Sequence, residues 1–250
     1  MNTDLNILFN CKREKNTAVQ LPEGQVFNQK VVIESNNLTV YGNGSEIVCG
    51  DNNSMVPFFG TADSATLTVK GSNIRFVNTV FANSFDYTAN LKKRSEDASY
   101  TMGLQAVAVY LHEDADNIVF ENCTFKGWQD TLFVDCRSAC FYNCTIEGNI
   151  DFIFGRAYAY FFRCRIISRT AGYVTAPSTM ADRKRGFVFE DCNFECKSGV
   201  EDESVYLARP WHPGGKQGGK FLCLFQKMQI WKTYKQKALD FNERFKRYCS

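Results

Sequence analysis

The sequence predicts an all-β protein wound as a right-handed parallel β-helix, because one short phrase recurs at near-constant spacing, the phrase alternates in polarity, and helix caps and heptads are almost absent. The phrase reads Asn78-Thr79-Val80-Phe81, Asn122-Cys123-Thr124-Phe125, Asn143-Cys144-Thr145-Ile146, Arg163-Cys164-Arg165-Ile166 and Asp191-Cys192-Asn193-Phe194. Its copies are separated by 44, 21, 20 and 28 residues. A period near 21, doubled once and lengthened once by a loop, is what a solenoid with one coil per repeat produces. Runs such as Ile118-Val119-Phe120 are rich in β-branched and aromatic residues and are bounded by polar turn residues, so they read as short strands. Equivalent residues of successive coils would stack at the strand spacing of about 4.8 Å, giving an inward ladder of cysteines and a turn ladder of asparagines.

Bulk properties narrow the function classes. Among 250 residues, 29 Lys+Arg stand against 27 Asp+Glu, a net charge of +2. That balance gives no global field for nucleic acid or an anionic membrane surface. With 22 Phe, 11 Tyr and 44% apolar residues, the chain has bulky core material, and no apolar run reaches membrane-spanning length. The eleven cysteines are an odd number in strand-like contexts and read as mostly free, buried thiols. A metal site built on Cys136, Cys140 and Cys144, or on Cys192 and Cys196, lacks a matching partner set, so neither metal nor cofactor is expected. The first residues show no apolar stretch of the kind an export signal needs. Gly214 to Lys220 superficially resembles a phosphate loop, but Phe221 stands where Ser or Thr should bind magnesium.

The same period gives a geometric expectation for chemistry. Asp130 and Asp151 are 21 residues apart and should occupy matching positions on neighbouring coils, about 5 Å from each other. Like charges that close resist double ionisation, which supplies a protonated acid and a nucleophilic carboxylate together. Stacked aspartates capping turn amides are the structural alternative. His112 and His212, the two histidines, have no partner Ser or Cys in a nucleophile setting.

Four ordered segments carry a resemblance: Gly103-Leu104-Gln105-Ala106-Val107-Ala108, Gln129-Asp130-Thr131-Leu132, Asp151-Phe152-Ile153-Phe154-Gly155 and Leu207-Ala208-Arg209-Pro210-Trp211. Together they resemble the signatures of pectin methylesterases, over about residues 21–215. The resemblance implies hydrolysis of the methyl esters of polygalacturonate, with Asp151 as nucleophile and Asp130 as general acid and then base. It further implies oxyanion donors in Gln105 and Gln129, an alignment role for Arg209, and substrate contacts from Phe152, Trp211 and Thr131. Strand alternation would divide Phe152 from Phe154, and Phe152 is placed nearer the substrate. The expected partner is methyl-esterified homogalacturonan or oligogalacturonides, acted on by a monomer. The family implies secretion, whereas the lack of a visible export signal and the abundant cysteines would suit a cytoplasmic enzyme acting on imported oligosaccharides or a truncated gene model.

The ends depart from that pattern. Residues 1–20 form a poorly defined opening, so the first coil is expected to lack its cap and leave strand edges exposed. Residues 216–250 leave the family pattern, and from Phe221 onward the tail reads as basic and helical. Back-translating Gln226 to Tyr234 and reading one nucleotide later forces a Cys and, three positions on, a Gly, and permits a string that resembles what the family carries there. A change of frame between about Trp211 and Gln226 and a genuine divergent tail forming an amphipathic cap over the open end are the two alternatives. Two further readings stay open: a carbohydrate-binding or inactive β-helix remnant, and a pectin-depolymerising glycosidase or lyase on the same architecture.

Overall fold

The computed structural model describes residues 3–11, 16–54, 60–180, 182–212 and 219–230. The backbone forms three parallel sheets of eight, eight and seven strands among these residues, each rung contributing one strand to each sheet except the last, which contributes to the first two. One rung shows how the sequence makes the coil. Ile118–Glu121 lies in the first sheet, Thr124–Lys126 in the second and Leu132–Val134 in the third. Every pairing within these three sheets is parallel and in register with the next rung, as in Phe120 with Phe141 and Phe125 with Ile146. The architecture is the right-handed parallel β-helix that the repeat predicts.

The recurring phrase is a corner followed by an inward step. Asn78, Asn122, Asn143, Arg163 and Asp191 all take left-handed backbone angles, φ 50 to 55°, and turn the chain from the first sheet into the second. Asparagine and aspartate tolerate that region better than other side chains, which is why they recur there. The Asn143 Nδ2 donates to Asn122 Oδ1 at 2.6 Å. A second asparagine ladder precedes the first sheet, where Asn117 donates to Asn73 at 2.9 Å and Asn73 to Asn37 at 3.0 Å.

The next residue of the phrase points inward. Cys123, Cys144, Cys164 and Cys192 are buried, and their thiols donate to the carbonyls of Phe76, Phe120, Phe141 and Phe161 at 3.3 to 3.6 Å. Cys11, Cys49, Cys123, Cys136, Cys140, Cys144, Cys164, Cys192 and Cys223 are free thiols. Behind them stands a column of rings, Phe76, Phe120, Phe141, Phe161, Phe189 and Phe225, with successive centroids 5.0, 5.1, 4.6, 4.4 and 5.1 Å apart. Parallel pairing places identical residues above one another, so the core is a stack of like on like.

Both expectations about the ends need correction over the described residues. Helix Leu5–Asn10 closes one end of the core, with Leu5 and Phe9 buried and Asp4 capping the amides of Asn6 and Ile7. Its asparagine side chains imitate a further strand. Asn6 Oδ1 accepts from Val32 N at 2.8 Å and its Nδ2 donates to Lys30 O at 3.0 Å, while Asn10 bonds Val32 O at 2.7 Å and Glu34 N at 2.8 Å. The edge strand Val31–Ile33 is thus satisfied by amide groups, as a backbone neighbour would satisfy it.

At the other end, Cys223–Gln226 and Gln229–Ile230 are strands and not helix. They pair in parallel with Phe187–Glu190 and Asn193–Cys196. Phe225 joins the ring column, and Met228 and Ile230 pack on the core. The helical reading of 231–250 lies outside the described residues, as does most of the glycine-rich segment before Phe221.

Candidate active site

The third sheet carries the site on its outer face. Strand Leu132–Val134 pairs with Ile153–Gly155 so that Leu132 meets Ile153 and Phe133 meets Phe154. Counting back two positions puts Asp130 and Asp151 at equivalent places on adjacent rungs, as their spacing implies. Both sit at left-handed corners, φ 65° and 50°. Their backbone amides continue the ladder, Asp130 N donating to Ile150 O at 3.1 Å and Asp151 N to Tyr173 O at 2.7 Å. Gly155 closes the segment because its φ is 129° and a Cβ there would strike Val134 O at 2.1 Å.

The two carboxylates have opposite surroundings. Asp130 is buried, and its carboxyl is pushed well above the usual carboxylate range by that burial and by the charge of Asp151, with Arg209 acting against both. Asp151 is gripped by Arg209, whose Nε donates to Oδ1 at 2.7 Å and whose Nη2 donates to Oδ2. Arg209 follows strand Val205–Ala208 and is anchored by its own amide to Thr175 O at 2.9 Å. One carboxyl is thereby biased towards its protonated form beside one that is paired with a guanidinium, a combination suited to acid–base and nucleophilic work at one carbon.

Gln105 and Gln129 reach the same face by backbone register. Ala106 N donates to Gln129 O at 3.1 Å, which sets Gln105 one rung from the Trp128-Gln129-Asp130 corner. Both side chains are half-buried. Neither side-chain amide has a hydrogen-bond partner among the described residues.

Two residues assigned to substrate are elsewhere. Thr131 is fully buried, and its hydroxyl donates to the carbonyls of Trp128 and Glu147, both at 3.0 Å. It braces the corner that holds Asp130. Phe152 is also fully buried and belongs to the main core. The left-handed corner at Asp151 restarts the alternation, so Phe152 and Ile153 both enter the core and Phe154 is the ring that turns outward.

Phe154 stands in an aromatic row that the sequence reading missed. Tyr110, Phe133 and Phe154 stack on successive rungs with centroids 4.6 and 4.3 Å apart. Trp211 meets this row edge-on, 6.1 Å from Phe133 and 5.4 Å from Phe154. Burial pushes the Tyr110 phenol up to about 12, helped by Asp135. The signal was present in the sequence: Phe133 and Phe154 each follow an aspartate of the pair by three residues. On the other side of the pair, Trp128 stacks with Tyr87 at 5.3 Å and carries the Arg169 guanidinium 3.7 Å from its ring centroid.

Comparison with known proteins identifies the family and agrees with the fold. The Pectinesterase family model matches residues 6–216. Pectinesterase A of Dickeya chrysanthemi is 35% identical over 212 residues, covering 78% of this chain and 58% of that protein. The probable pectinesterase A of Aspergillus niger is 33% identical over 197 residues, covering 77% of this chain and 57% of its own. The chain therefore spans somewhat over half the length of these curated relatives. Among solved structures, pectin methylesterase PemA from Erwinia chrysanthemi superimposes with a TM-score of 0.81 at 29% identity, covering 90% of this chain and 74% of that one. The pectin methylesterase from Yersinia enterocolitica gives 0.83 at 28% identity, covering 92% and 79%. With a family match across most of its length, relatives above 30% identity and the same coiled architecture, the chain belongs to the pectinesterase family.

Proposed function

We propose that this protein hydrolyses the methyl esters of polygalacturonate, releasing methanol and leaving a free uronate. The observation that carries the reading is a buried Asp130, its carboxyl pushed well above the usual range, one rung from an Asp151 held by a forked arginine contact. In the first half of the reaction Asp151 attacks the ester carbonyl carbon, and the tetrahedral oxyanion takes donors from the side-chain amides of Gln105 and Gln129. Asp130 gives its proton to the departing methoxy oxygen. In the second half Asp130, now a carboxylate, removes a proton from water as that water attacks the acyl-enzyme, and both aspartates return to their starting states.

Trp211, partly buried against the buried rings of Phe133 and Phe154, supplies the apolar surface for a sugar ring. A polymeric or oligomeric galacturonan suits an open face of this kind. In support, a pectin methylesterase related by a TM-score of 0.83 at 28% identity has been solved in complex with a hexasaccharide. The depolymerase and inactive-remnant readings separate from the esterase in one assay on methylated pectin. The esterase reading expects methanol with unchanged chain length; falling viscosity without methanol would replace it with depolymerisation, and neither product would indicate a remnant.

A further inference from the structure

We infer that Tyr173 is a positioning residue for the reaction, acting through Arg209 on the nucleophile Asp151. Arg209 and Asp151 form an ion pair in which the arginine side chain is 44% exposed. A long side chain at an exposed site loses much rotamer freedom when fixed in one geometry, and water screens the attraction that should fix it. Two parallel hydrogen bonds define the plane of the guanidinium at one edge but leave its faces free to rock against solvent. Tyr173 removes that freedom. The Arg209 Cζ lies 4.6 Å from the Tyr173 ring centroid, so the cation rests on the ring face while its edge grips the carboxylate.

The ring is itself supported. Tyr206, on the following rung, stacks behind Tyr173 with centroids 4.9 Å apart and planes 23° from parallel. The pairing of Tyr173 with Tyr206 in strands Gly172–Pro177 and Val205–Ala208 fixes that stack by backbone register. Tyr173 also holds Asp151 from behind, since its carbonyl accepts the Asp151 amide at 2.7 Å. A single residue thus meets the nucleophile through its backbone and the nucleophile's partner through its ring. The geometry assigns the effect to the aromatic face and not to the hydroxyl.

The kinetic arm of the test rests on the esterase reading; the spectroscopic arm does not. Tyr173→Leu, with Tyr173→Met as a second variant should the first fail to fold, is expected to lower kcat for methanol release about tenfold with KM within about twofold of the parent. Tyr173→Phe, which keeps the face, is expected to restore kcat to within about threefold. In parallel, solvent exchange of the Arg209 Nε proton is followed by nitrogen-correlated NMR, with the resonance assigned by its loss in Arg209→Lys. Exchange should be at least about tenfold faster in the aliphatic variants than in the parent and Tyr173→Phe. Aliphatic variants with parental kcat and exchange would overturn the inference. So would a rise in KM alone, which would mean that the ring touches sugar, or a Phe variant as impaired as Leu. A parent that releases no methanol would sink the esterase reading and leave the exchange comparison to decide the role of Tyr173.

Discussion

Asp130 occupies surroundings that oppose ionisation, and two consequences follow from that one side chain. Burial and the neighbouring Asp151 hold its folded pKa above the unfolded value. The stability associated with its protonated form is therefore complete below the ordinary carboxylate range and declines as pH rises toward the folded pKa. Asp130→Asn, neutral throughout, should melt above the parent at about pH 8 and together with it at about pH 3; thermal unfolding at the two pH values checks this. Its catalytic counterpart has the same sign, because an acid that must give a proton to methoxide is lost as pH rises. Methanol release by the parent should fall on the alkaline side, and Asp130→Asn should lose at least about 100-fold at every pH.

The neighbouring phenylalanines make a second test at this scale. Phe152→Ala should cost roughly 3–5 kcal/mol of stability by opening a cavity in the core while the folded enzyme keeps its kcat/KM, whereas Phe154→Ala, which removes a ring that is also buried, should lower kcat/KM about tenfold as well as stability. Chemical denaturation and steady-state kinetics on the two variants separate the roles. The reverse pattern would restore Phe152 to the groove.

At the scale of the element, the unit is a strand, a left-handed corner and a second strand. The phrase Asn-Cys-Thr-Phe encodes that unit, with Asn at the corner, Cys and Phe inward and Thr outward. Its period of 21 was enough to place Asp130 and Asp151 on adjacent rungs. The facing of Thr131 and Phe152 was illegible because a left-handed residue interrupts the alternation by which facing is counted, and nothing in composition marks a corner as left-handed when the residue is aspartate. Arg163 and Lys227 are exceptions among these corners, φ 55° and 50°, and the exposed ion pair of Arg163 with Asp191 adds little. Arg163→Asn should relieve part of that backbone cost and extend the asparagine ladder from Asn143, raising stability by about 0.5–1 kcal/mol in denaturant titration.

The whole molecule is a stack in which each rung is covered by the next, so its ends are where the fold is exposed to error. The cap at one end is made of side-chain amides on a short helix, and the match of Asn6 and Asn10 to the edge Val31–Ile33 exists only in three dimensions. That is why the opening residues looked structureless. Likewise, Cys223–Gln226 reads as part of a basic helical tail until the Phe189 ring is there for Phe225 to stack on. Replacing both Asn6 and Asn10 by Ala should cost roughly 2–3 kcal/mol and uncover an edge strand. Light scattering on a concentration series should then show self-association that the parent lacks.

The account depends on one carboxylate bonding to the substrate carbon while its neighbour manages the proton. Methanol release from methylated pectin by Asp151→Asn, with folding verified, tests this most directly. A loss of more than about 1,000-fold is predicted. Methanol released at the parental rate would contradict it.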